Sequence, residues 1–178
     1  YLSDYLPFFR TFFAELGYEV VLSDRTNRQT INRSLEATVA ETCFPAKVGL
    51  GHVLDLLDKQ VDRIFLPSFI RFPAASGKFR SSQACPYAQA FPYITKASLR
   101  SGKTTVLEPA LYLQDQRHFT KSMQQLGREL GRNRREITRA QKAGEQAQER
   151  FHAELQRSGR SLLQSIRPGE RALVLIGR

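Results

Sequence analysis

A chain of 178 residues with 41% hydrophobic content is long enough to bury a core as one compact domain, or as one domain with a helical extension. Two cysteines are too few for a disulfide framework and no apolar run could span a bilayer, so a reducing, cytoplasmic setting is expected. The net charge of +10 is uneven: residues 114–167 carry 12 Lys and Arg against 6 Asp and Glu (+6), and the first 113 carry 13 against 10 (+3).

Ser3-Asp4 can cap a first helix, in which Phe8, Phe9, Phe12, Phe13 and Leu16 recur at helical spacing and which Gly17 stops. This aromatic stripe reads as core packing against a sheet. Tyr18–Ser23 follows with the composition of a strand, and Asn27 to Leu35 as a short polar helix. Cys43-Phe44-Pro45 opens the next helix, because proline suits a first turn where its missing N–H would be unpaired anyway. Leu50, Val53, Leu54, Leu57 and Val61 form its apolar face, with Asp55, Asp58 and Lys59 off it. Asp62–Pro67 is predicted as a short strand ending at a proline.

Residues 68–84, with Pro73, Ser76, Gly77, Ser81 and Ser82, read as a long loop of the kind that is often functional. Cys85-Pro86 then repeats the Cys43 arrangement. The helix from Pro86 to about Ser98 is expected to be interrupted at Pro92. Thr104–Leu107 is a strand. Gln114 to Ser165 is mostly helical and charged, with a break near Gly131 and a thin apolar stripe: Leu126, Leu130, Ile137, Ala140, Ala147, Phe151 and Leu155. Such a stripe suits a helix lying across a surface. Arg171–Ile176 is a last strand. With no initial Met and an apolar end followed only by Gly177-Arg178, the chain is expected to be a piece of a longer polypeptide.

Alternating helix and strand predict an α/β class, specifically a Rossmann-like three-layer domain with a mostly parallel sheet. Residues 1–113 would form that domain, 114–167 a charged helical segment, and 168–178 the start of a further strand.

Ser101-Gly102-Lys103-Thr104-Thr105 mimics the end of a phosphate-binding loop, but Ala97 stands where the motif needs glycine. A helix precedes it and a strand follows, the reverse of the required order. It reads as a polar turn. The basic run Arg128–Arg135 could meet nucleic-acid phosphates, yet interspersed acids and few aromatics favour a solvated helical face or a contact to another part of the polypeptide. His118 and His152 read as surface residues. His52, nine residues beyond Cys43, is too far along its helix to pair with that thiol and suits a bond to a neighbouring loop.

The two thiols remain. A helix N-terminus favours thiolate, the form that binds metals, so two such cysteines suggest one shared site. The alternative is that both are small buried side chains. Two thiolates do not by themselves complete a zinc or iron–sulfur centre.

The run Pro7–Ser23, then Thr42-Cys43-Phe44-Pro45-Ala46-Lys47, Gly51–Leu56, Val61–Pro67, and Cys85-Pro86 with Pro92-Tyr93 resembles the uncharacterised domain of CoA-substrate-specific enzyme activases. These proteins are often named activators of 2-hydroxyglutaryl-CoA dehydratase, and the domain is similar in turn to 2-hydroxyacyl-CoA dehydratase and benzoyl-CoA reductase subunits. The resemblance implies Rossmann-like folding and a 4Fe–4S cluster, with Cys43 and Cys85 at its first two ligand positions and a further cysteine beyond Arg178. It implies ATPase domains of the same polypeptide as partners, with an acyl-CoA as a possible substrate. The implied chemistry is one-electron transfer from an ATP-driven activator to a cluster near a CoA thioester. Lys47 and His52 would line the site as cofactor-binding residues. No ATPase phosphate motif and no third cysteine occur in this chain. The alternative reading is a non-catalytic docking module whose basic helices bind the ATPase domains or a partner protein.

Overall fold

The computed structural model of the protein describes residues 2–39, 41–74, 82–99, 102–167 and 169–174. After a short 3₁₀ turn at Ser3–Tyr5 come α1 (Leu6–Glu15), α2 (Arg28–Ala37) and α3 (Phe44–Asp58). Then follow β1 (Arg63–Phe65), β2 (Ser68–Arg71), α4 (Pro86–Ser98), β3 (Thr105–Leu107), β4 (Ala110–Tyr112), α5 (Gln116–Glu129) and α6 (Arg134–Ser165).

The aromatic stripe of α1 is buried as its spacing predicts: Phe8, Phe9, Phe12, Phe13 and Leu16 are all core residues. Phe9 and Phe13 meet the ring of Phe65 on β1 at centroid distances of 4.7 and 5.0 Å. Gly17, at φ +83°, ends the helix in the left-handed region where a side chain would be strained. No side chain of its own caps the start of α1. Gln148 of α6 does so from a distance: its carbonyl oxygen accepts from the Phe8 N–H at 3.3 Å, and its amide donates to Asp4 O at 2.7 Å.

The strands form one interrupted parallel ladder. Arg63 pairs with Thr105 and Ser68 with Ala110, an offset of 42 residues in each case (105 − 63 and 110 − 68). The same offset sets Pro67 opposite Pro109, and Pro109, which faces β1, deprives the ladder of one donor at that level. Leu66 N–H still donates to Leu107 O at 2.8 Å and Ser68 N–H to Pro109 O at 2.9 Å, so the pairing carries across the gap. Two cores flank it. Phe69, Leu107 and Leu111 join α1, α5 and α6, with Phe65 packed against them. Ile64 and Leu66 join Val53 of α3, with Phe91 of α4 and Val106 alongside. Alternate residues of a strand point to opposite faces, which sorts Phe65 from Ile64 and Leu107 from Val106.

Several sequence expectations are corrected. Tyr18–Ser23 is not a strand: among the described residues its only backbone-to-backbone bond is Tyr18 N–H to Phe13 O, and side chains hold the rest. The expected loop 68–84 contains β2, and Arg71 bridges to Gln83; Ser76, Gly77 and Ser81 lie outside the described residues. α4 runs through Pro92 without interruption, while the hydroxyl of Ser68 donates to Gln89 O in the preceding turn. β4, directly after Pro109, was not predicted. Arg171–Val174 is not strand, with Leu173 and Val174 exposed; Leu175–Arg178 lies outside the described residues, as does Ser101.

The charged segment breaks at Gly131, as expected, where φ is +74°. α6 restarts at a capping box of Asn133 and Glu136. Its apolar stripe is not confined to a surface: Leu126, Leu130, Ile137 and Ala140 are buried in the main core, Ala147 and Phe151 are half-buried, and Leu155 is exposed.

Gly51 of α3 lies against α2, where an added Cβ would overlap the carbonyl oxygen of Thr30. Gly51→Ala is expected to destabilise the protein by about 1–3 kcal/mol in urea unfolding. Gly159→Ala, in open space on α6, should stabilise it by about 0.5–1 kcal/mol in the same measurement.

Candidate functional site

Cys43 is the N-cap of α3 and Cys85 the N-cap of α4, each with proline in the following first turn, as the sequence predicts. Neither thiol makes a capping bond, and both are free, Cys43 exposed and Cys85 half-buried. Each cysteine's carbonyl starts its helix: Cys43 O accepts from Ala46 and Lys47, and Cys85 O from Ala88 and Gln89. Cys85 is held to the sheet through Ala84, whose N–H donates to Ile70 O at 2.9 Å and whose carbonyl accepts from the Gln89 side chain at 2.8 Å.

α3 and α4 pack where Gly49 leaves room for the ring of Phe91. Gly49 lies six residues beyond Cys43 (49 − 43), and Phe91 six beyond Cys85 (91 − 85). The helices lead into β1 and β3, neighbouring parallel strands, so they run in the same sense.

Lys47 sits one turn beyond Cys43, on the same face of α3. Its ammonium turns back to Glu41 at 2.9 Å, and the side chain is only 17% exposed. His52 belongs elsewhere: its Nε2 shares a 2.9 Å hydrogen bond with Thr26 Oγ1, which ties the helix to the preceding loop. Sequence reading missed the unpartnered polar atoms. Thr42 Oγ1 beside Cys43, His52 Nδ1, and Thr95 Oγ1 on α4 are buried without a hydrogen-bond partner among the described residues. A threonine directly before a helix-starting cysteine was the available signal. Among the described residues, no three His, Cys, Asp or Glu side chains cluster to hold a metal ion.

A charged network anchors the loop beyond Tyr18. Lys59 Nζ reaches Asp24 at 2.7 Å, Asp55 at 2.9 Å and Leu22 O at 3.0 Å. Asp55 accepts from Asp24 N–H at 2.9 Å. The Lys59 side chain, followed by that backbone N–H, holds the Asp55 carboxyl below its ordinary 3.8. No helix of the described residues is long and apolar enough to cross a membrane.

A depressed carboxyl value stabilises the fold above the unfolded value and stops doing so as pH falls through the folded one. The tie between Asp24 and α3 should therefore loosen below about pH 4. Hydrogen exchange at the Asp24 amide, corrected for its intrinsic pH dependence, should accelerate there. Asp55→Ala should show the accelerated rate at neutral pH.

No curated protein and no solved structure matches the chain. The profile of the CoA enzyme activase uncharacterised domain (DUF2229) matches residues 1–178, and the chain belongs to that family.

Proposed function

We propose that this domain contributes two cysteine ligands, Cys43 and Cys85, to an iron–sulfur centre in the intact polypeptide, within a system related to 2-hydroxyacyl-CoA dehydratases and their activators. The observation that carries this reading is the matched placement of the thiols. Both are free N-caps of helices running in the same sense, each six residues from the Gly49–Phe91 contact. The positive ends of both helix dipoles then lie at the same end of the layer. Lys47, one turn beyond Cys43, is ion-paired with Glu41, and the Thr26 bond of His52 gives that residue a tethering role.

The donor set fits such a centre only in part. Two thiols are half of a four-cysteine set, and no other ligand group joins them among the described residues. The remaining ligands must come from outside these residues. On this reading the ladder, with helices against both faces, belongs to a Rossmann-like three-layer domain that faces ATPase domains of the same polypeptide and an acyl-CoA.

A docking module is the second reading, favoured by Leu155, Leu162 and Leu163, which are 54–68% exposed on α6. Anaerobic reconstitution of the intact polypeptide with iron and sulfide separates the two. Cys43→Ser and Cys85→Ser should each remove most of the bound iron and the brown absorbance while leaving the far-ultraviolet dichroism unchanged. Unchanged iron content in both variants would reject the cluster reading and leave the docking module.

A further inference from the structure

The bonds of β1 show which of its residues face β3. Asp62 O accepts from Thr105 N–H at 3.0 Å and Leu66 N–H donates to Leu107 O at 2.8 Å. Parallel strands use alternate residues for each neighbour, so Asp62, Ile64 and Leu66 face β3 while Arg63 and Phe65 turn their N–H and C=O to the opposite edge. No strand occupies that edge among the described residues. A cavity of about 660 Å³ lies there instead, lined by Phe9 and Phe13 of α1, Val20 and Leu22, and Ile64 and Phe65.

The stretch across this cavity is Glu19–Ser23. Its backbone groups bond no other backbone among the described residues, and Val21 and Leu22 are 43% and 47% exposed. Both its ends are pinned. Tyr18 OH donates to Leu130 O at 3.1 Å, with the Arg132 guanidinium 5.3 Å from its ring centroid. Asp24 and Thr26 are held by Asp55 and His52 of α3 and by Lys59 at its C-cap. The segment therefore stays beside β1, and its Val-Val-Leu run has the composition of a strand.

We propose that the open edge of β1 is an acceptor for one parallel strand, and that its occupant is Glu19–Ser23 of the same chain. The segment alternates between the open position seen here and a closed position bonded to Arg63 and Phe65. Closure fills the cavity, pairs backbone groups that otherwise bond no other backbone, and extends β1–β3 to three strands. The connection through α2 and α3 is the crossover that a parallel neighbour requires. Because Asp24 and Thr26 grip α3, closure also braces the helix that starts at Cys43.

Residue-resolved hydrogen exchange tests this. If closure dominates, the Arg63 and Phe65 amides are protected about 100-fold or more over unstructured rates, alongside Ile64 and Leu66. Val20→Pro and Val21→Pro each remove one donor, and alternation puts one of them on β1. One variant should strip the protection of Arg63 or Phe65 while Ile64 keeps its own. Unprotected Arg63 and Phe65 amides in the unmodified protein would overturn the proposal, whatever the variants do. So would protection that rises with protein concentration, which would assign the edge to a second copy.

Discussion

The pairing of residues 63–71 with 105–112 is the constraint on which the other elements depend. It is non-local and parallel, so chain must cross over between its two sides, and α4 is that crossover. The register, offset by 42 residues from Arg63 to Phe69 and shifted by one at Arg71–Tyr112, puts Phe65, Phe69, Leu107 and Leu111 with the aromatic face of α1, and Ile64, Leu66 and Val106 with α3 and α4. Pro109 withholds one donor between the two halves of the ladder without ending it. Burial on both sides then holds the strands where the missing amide donor cannot.

What was legible in the sequence was local. The Phe8–Phe13 stripe, the Gly17 stop, the helix starts at Cys43-Phe44-Pro45 and Cys85-Pro86, and the Gly131 break are set by residues within a turn or two of one another. β2 and β4 were hidden because each follows a proline, which reads locally as an ending, and only the partner strand reveals the continuation. Pro92 misled in the opposite sense. A helix packed between β2 and α3 tolerates a lost amide that an isolated one would not. Tyr18–Ser23 has strand composition but no ladder, since composition cannot supply the partner edge.

The candidate site was legible in its covalent parts and not in its anchoring. Cysteine followed by an early-turn proline is visible in the text of the chain. The equal spacing from each thiol to the Gly49–Phe91 contact is not, because it depends on which two helices share a face. Asp55 and Lys59 are visible as charges off the apolar face and four residues apart, a spacing that brings side chains together on a helix. Their grip on Asp24, 31 residues from Asp55, needed the fold.

The capping box at Asn133 has a mechanical consequence. α6 is 32 residues long, and its buried positions end at Gln148. The 17 residues from Glu149 to Ser165 thus continue as a rod roughly 25 Å long beyond the packed body. A rod whose root is clamped by buried Ile137, Ala140 and Gln148 cannot bend independently at its base. Any load applied at Leu162 arrives, by stiffness alone, at the Phe8 end of α1, where Gln148 is bonded.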